Sequence, residues 1–147
     1  MIQISGQRHF AVSTEVLFGE LSDLQKVIAS FPEAKKVKSV TSARAEIVVS
    51  PGLSFVKGDL DTVIEKQAED PPHSAMLLIT SKGIGSSSKV HASFQLARQG
   101  DGTDLTWKAE VVELTGLLKL APKGLVQGSG QKVIDSWLNN LEKQLDV

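Results

Sequence analysis

Three histidines, a cluster of acids and two sets of closely spaced glycines are the residues of this chain that could do chemistry. His9, His73 and His91 would serve as metal ligands if two of them stood two or four positions apart on one element. None do. His9 and His91 fall on the polar faces of alternating segments and His73 follows a proline turn, so all three read as solvent-exposed. Asp59, Asp61, Glu65 and Glu69 could share acid–base work only inside a cavity. Asp59, Asp61 and Glu65 lie opposite Leu60 and Ile64, which makes a solvated face the expectation, because burying paired carboxylates is costly. Gly83-Ile84-Gly85 and the later Gly124, Gly128 and Gly130 lack the Gly-Lys-Ser/Thr of a phosphate loop. The residues therefore assign no catalytic group, no metal and no cofactor.

The elements that would carry a binding site are easier to read. Val126, Val133, Ile134, Trp137, Leu138, Leu141 and Leu145 recur three or four apart. That spacing predicts one long amphipathic helix over 117–145, with Pro122 in its first turn. A helix of about 25 residues is roughly 38 Å long, and something broad and apolar must lie beneath it. Gly128 and Gly130 in its interior each cost about 1 kcal/mol relative to alanine. They imply close packing on the sheet, a helix that starts later, or room left for a ligand.

Upstream, Ile2, Ile4, Phe10 and Val12 alternate with polar residues as a half-buried first strand. Ser13-Thr14-Glu15 caps a short helix, and Ser22 with Gln25 has the spacing of a capping box for a second. Phe31-Pro32 ends that one. Strand-like runs follow at Ala45–Val49, around Gly58 from Phe55 to Glu65, at Ala75–Ser81, at Ser88–Leu96 and from Leu105 to Val111. Turns at Asp70-Pro71-Pro72, Gly83-Ile84-Gly85 and Gly100-Asp101-Gly102 separate them. The expected fold is α+β: a curved antiparallel sheet of about seven strands around a long C-terminal helix, with two short helices after the first strand.

Composition bounds the rest. At 147 residues the chain reads as a single domain, 1–147, able to bury about 68–70% of its unfolded surface. With 16 basic and 17 acidic residues, net −1, nothing argues for nucleic acid. The absence of cysteine excludes disulfides and thiolate chemistry. The first residues alternate and do not form a signal peptide, and no run reaches the ~20 apolar residues of a membrane span. The expectation is a soluble, cytoplasmic chain.

The layout resembles the helix-grip superfamily of START-type lipid-transfer proteins, and within it the carbon monoxide dehydrogenase G-subunit family. Ile4-Ser5-Gly6, Glu15-Val16-Leu17-Phe18, Leu21-Ser22-Asp23, Phe31-Pro32 and Val56-Lys57-Gly58-Asp59-Leu60 carry the resemblance. So do Asp70-Pro71-Pro72, Gly83-Ile84-Gly85, Gly102-Thr103-Asp104-Leu105-Thr106-Trp107 and Gly116-Leu117-Leu118. Glu33 and Ser86-Ser87-Ser88 stand where the family usually has glycine.

The resemblance implies a non-catalytic carrier of a hydrophobic small molecule, lipid- or quinone-like, accessory to a molybdenum-containing dehydrogenase complex. Many relatives have an apolar tail beyond the position of Val147, so the membrane contact implied here is peripheral. The ligand would lie against Val90, Phe94, Leu105, Trp107 and Val111 on the sheet and Val126, Gly130 and Ile134 on the helix. Thr62, Thr80 and Gln95 are candidate polar anchors. A protein–protein adaptor with a filled core, exposing Leu117, Leu118 and Leu120, is the alternative reading, and a helix-grip cyclase or hydrolase is another.

Overall fold

The computed structural model describes residues 2–31, 34–50, 58–83 and 85–145. Strand β1 (Ile2–Phe10) leads to helices α1 (Thr14–Ser22) and α2 (Leu24–Ser30). Six strands follow: β2 (Ala34–Val40), β3 (Arg44–Val49), β4 (Leu60–Asp70), β5 (Ser74–Gly83), β6 (Ser86–Gln99) and β7 (Gly102–Thr115). The chain closes with α3 (Leu117–Leu120) and α4 (Lys123–Leu145). The sheet has seven antiparallel strands in the order β1-β7-β6-β5-β4-β3-β2, a meander whose first strand returns to pair with the last. This is the expected α+β architecture.

Local chemistry sets the element boundaries. Ser13 Oγ accepts from the Val16 amide at 3.2 Å to start α1. Asp23, rather than Ser22, caps α2, its carboxylate accepting from the Gln25 amide at 3.0 Å. An aspartate directly before the helix is the nearer and stronger acceptor. The long C-terminal helix is in fact two pieces. Pro122 is not inside a first turn but ahead of it, and its carbonyl accepts from the Leu125 and Val126 amides at 3.0 and 3.2 Å to open α4.

Two strand assignments also change. β2 has no clear apolar alternation in Ala-Lys-Lys-Val-Lys-Ser-Val, and the sequence predicts no strand there. Its lysines suit a sheet edge, where charge discourages pairing with a further chain. β4 begins only at Leu60, and the start of the expected strand, Phe55 to Lys57, lies outside the described residues.

The sheet is curved by irregularities in its ladders. On β7, Val111 pairs with Val90 and Glu113 with Lys89, so Val112 is an extra residue, a β-bulge. The bulge flips the alternation, and Val111 and Leu114 both turn to the concave face.

The core is unevenly filled. At one end of the concave face Phe10 and Leu105 of the sheet, with Leu17 and Leu21 of α1 and Leu24 of α2, have no exposure. At the other end the covering element is the N-terminal half of α4.

Gly116 closes β7 with φ +69°, and a Cβ there would run into the Gly85 carbonyl. Gly116→Ala combines left-handed strain with that collision, so we expect a loss of about 2 kcal/mol or more, read as a fall in Tm and in the urea midpoint at unchanged m-value.

Candidate functional site: an apolar cavity under the last helix

Residue sizes along one cross-strand row open the site. Leu77, Ala92, Ala109 and Ile4 are successive partners across β5, β6, β7 and β1, all on the concave face. Two alanines side by side leave a hollow in the middle of the sheet. Above it passes the part of α4 that carries Val126, Gly130, Val133 and Ile134. The result is a cavity of about 290 Å³, partly open to solvent and walled mainly by apolar side chains. Interiors close-packed to native density do not leave this much space.

The roof is held from one end. Only Trp137, Leu138 and Leu141 of α4 are fully buried. Trp137 donates from Nε1 to Ser30 Oγ at 2.9 Å, and its ring meets Phe94 edge-on with centroids 5.6 Å apart. Ser30 Oγ in turn donates to the Val27 carbonyl at 3.0 Å, and the Ser30 carbonyl accepts from Asn140 Nδ2 at 3.1 Å. Arg8 and Glu142 pair at 3.1 Å. The N-terminal half of α4 has lighter fastenings: Gln127 Nε2 to the Gln3 carbonyl at 3.4 Å, and Gly130 against Ile4, where an added Cβ would sit 3.0 Å from Cδ1.

The helix glycines thus divide. Gly130 is a close approach of helix to sheet. Gly124 and Gly128 have nothing within 4 Å of where a Cβ would stand, so close packing does not explain them.

Val90, Phe94, Trp107 and Val111 from the sheet, with Val126, Gly130 and Ile134 from the helix, are brought together around this cavity. Leu105 is not among them. It lies one inward step beyond Trp107 on β7, fully buried in the filled end of the sheet. Trp107 itself forms a wall, its indole lying across Gly6 on the neighbouring strand, where a Cβ would be 2.6 Å from Cζ2. Of the three suggested anchors, Thr62 is buried and bonded to Ser81 Oγ at 2.9 Å. Thr80 and Gln95 alternate with the wall residues Ile79 and Phe94 and so fall on the other face.

Among the described residues the polar groups that line the cavity are few: Ser88, Gln127, Ser129 and Lys108, the last with an exposed side chain. Leu114 carries no signal for this face in the sequence, because the bulge at Val112 shifts the alternation of β7 there; Ser88 keeps step with Val90 and Phe94 on β6 but is polar, so it does not stand out as an inward residue. Ala92 and Ala109 carry none because small residues have no periodic signature of their own.

The titratable groups lie elsewhere. His9 is exposed, its Nδ1 2.8 Å from Asp104 Oδ1. His73 is exposed as well, and His91 is half-buried on the convex face. Asp59 and Asp61 pair on the outside with Lys35 and Lys38, at 3.1 and 2.7 Å. Lys38 is raised above the usual lysine range by that hydrogen bond and charge. No group of three metal-ligating side chains occurs among the described residues, and no described helix is long and apolar enough to cross a membrane.

The family model for the G subunit of carbon monoxide dehydrogenase (CoxG) matches residues 6–146. The chain belongs to the CoxG family. No curated protein matches it. Among solved structures, a protein of Geobacillus kaustophilus superposes with a TM-score of 0.86 at 18% identity, over 97% of this chain and 94% of that one. A START superfamily protein from Mycobacterium smegmatis gives 0.73 at 15% identity, over 97% and 95%. A Thermus thermophilus protein gives 0.68 at 19%, over 96% and 94%. At these identities the likeness is one of fold, and the fold is START-like. Both family and fold are consistent with a hydrophobic ligand-binding role for this CoxG member.

Two substitutions check the architecture of the roof. Ser30→Ala leaves the Trp137 N–H without its acceptor in a buried interface, which should cost about 1–3 kcal/mol, visible as a lowered Tm and a changed tryptophan fluorescence maximum. Gly128→Ala meets no atom and gains helix propensity, so it should stabilise by up to about 1 kcal/mol in the same thermal melt.

Proposed function

We propose that this CoxG member carries a hydrophobic small molecule, lipid- or quinone-like, in the cavity between sheet and α4, without transforming it. The observation that carries this reading is the hollow itself: about 290 Å³ of mainly apolar space held open by Ala92, Ala109 and a helix anchored at its far end. That volume is at the lower edge of the range usual for small-molecule sites. It suits a ring or a short stretch of chain, with any longer tail leaving through the open side.

The chemistry of the walls supports carriage over catalysis. Apart from the exposed Lys108, no lining residue among the described ones is titratable, so none of them is placed inside to transfer a proton. A few hydroxyl and amide groups would orient an uncharged polar head. Membership of the CoxG family extends the proposal to an accessory role beside a carbon monoxide dehydrogenase-like molybdenum enzyme, with the ligand as the cargo delivered. That extension rests on the family alone.

Native mass spectrometry of the purified chain, followed by solvent extraction, tests the reading directly. The expected result is a co-purifying neutral lipid or quinone released on denaturation. Ala92→Leu with Ala109→Leu fills the floor with apolar volume. We expect the double variant to keep its fold, within about 1–3 kcal/mol, and to lose ligand at least about tenfold, or about 1.4 kcal/mol. A wild-type chain that stays apo after incubation with lipids and quinones would instead favour the adaptor reading.

A further inference from the structure

The apolar wall of the cavity ends in a row of hydroxyl groups. Ser88, Ser81 and Thr62 are successive cross-strand partners on β6, β5 and β4. Each stands two residues from a wall residue of its own strand, Val90, Ile79 or Ile64, so all three turn to the concave side. Leu114 of β7 and Ile47 of β3 flank the row. Hydroxyls on the inner face of a sheet are costly unless they bond to something.

The row has a direction. Thr62 and Ser81 are buried, and their hydroxyl oxygens are 2.9 Å apart. Thr62 Oγ1 has no second hydrogen-bond partner among the described residues, and its neighbour on the far side, Ile47, has an apolar side chain. Were Ser81 the donor, the Thr62 proton would be a buried donor without an acceptor. Thr62 therefore donates, and the Ser81 proton is left free. Directly opposed residues have Cβ atoms about 4.5–5.5 Å apart, which lets two hydroxyls turned toward each other meet. Ser88 is the residue opposite Ser81. It lines the cavity, is half-buried and makes no hydrogen bond among the described residues. A proton passed along the row as donor to donor thus ends on Ser88, facing the cavity.

We propose that Ser88 is the anchor for the polar head of the cargo, and that the head is a neutral carbonyl oxygen, as in a ketone or an ester. The proposal rests on the carriage reading and adds to it an orientation and a ligand class. Thr62 and Ser81 are positioning residues that polarise the Ser88 hydroxyl. With its carbonyl at Ser88, the cargo lays its apolar part over Ala92 and Ala109 toward Trp107. An ionised carboxylate does not suit the place. Lys108 is the one cation on the wall among the described residues, and it alternates with the inward Trp107 and Ala109, its side chain exposed on the other face. A single hydroxyl does not replace the water that a full charge gives up.

The test titrates the full chain at pH 8 with three probes of equal chain length, 2-nonanone, nonane and nonanoate, followed by calorimetry and by tryptophan fluorescence. The ketone and the alkane should bind, and nonanoate should bind at least about tenfold more weakly than the ketone. Ser88→Ala should weaken the ketone about three- to tenfold and leave nonane unchanged. Thr62→Val should give part of the same loss for the ketone alone, and Thr62→Ser should restore it, with unchanged circular dichroism throughout. Ketone and nonane both bound, with neither affected by Ser88→Ala, would overturn the anchor while leaving carriage intact. Nonanoate bound as tightly as the ketone would overturn the neutral class. Failure of all three probes to bind would overturn carriage and anchor together.

Discussion

The contact of Trp137 with Ser30 and Phe94 is the constraint on which the rest of the site depends. A helix laid over a sheet normally packs along its whole length, because each uncovered apolar side chain forgoes burial. Here α4 is pinned by its C-terminal half, where an indole, a hydroxyl and a carbonyl close a small buried network with no unsatisfied side-chain atom among the described residues. With its position fixed there, the N-terminal half can pass above the sheet without touching it everywhere.

What lies under that half is decided by small side chains. Ala92 beside Ala109 forms a floor too low to meet Val126, Val133 and Ile134 above it, while Gly130 brings the helix down onto Ile4 at the margin. The bulge at Val112 curls the end of β7 so that Leu114 joins Val111 on the concave side. The same sheet is solid where α1 and α2 cover it. One continuous hydrophobic face is thus filled core at one end and the wall of a cavity at the other.

The distribution of charge follows the same division. Acids, histidines and most lysines lie on the convex face or the edges, many of them paired with one another at exposed positions where such pairs contribute little to stability. Shielding of the concave face from ionisable groups gives it the character of a solvent for apolar molecules, which agrees with the START-like fold and the CoxG family assignment.

Much of this is legible in the sequence, because the signals concerned are local. Alternation in β1 and β5–β7, the cap at Ser13, the glycine turns and the helical spacing of α4 each depend on residues a few positions apart. They are enough for the α+β layout and for most residues of the concave face. The edge strand β2 is hidden, since lysine at a sheet edge erases the apolar period, and spacing alone does not separate a proline inside the first turn from Pro122 standing ahead of it. Whether the space under α4 is filled depends on volumes contributed by residues far apart in the chain: Ile4, Ala92, Ala109 and Gly130. Leu105 and Trp107 share one strand face and the same local pattern, yet only Trp107 lines the cavity, because different helices cover the two. Sequence alone determined which side chains face inward along most of the sheet; the tertiary structure decided which of them face other atoms and which face empty space, since packing is a sum over partners that no local pattern contains.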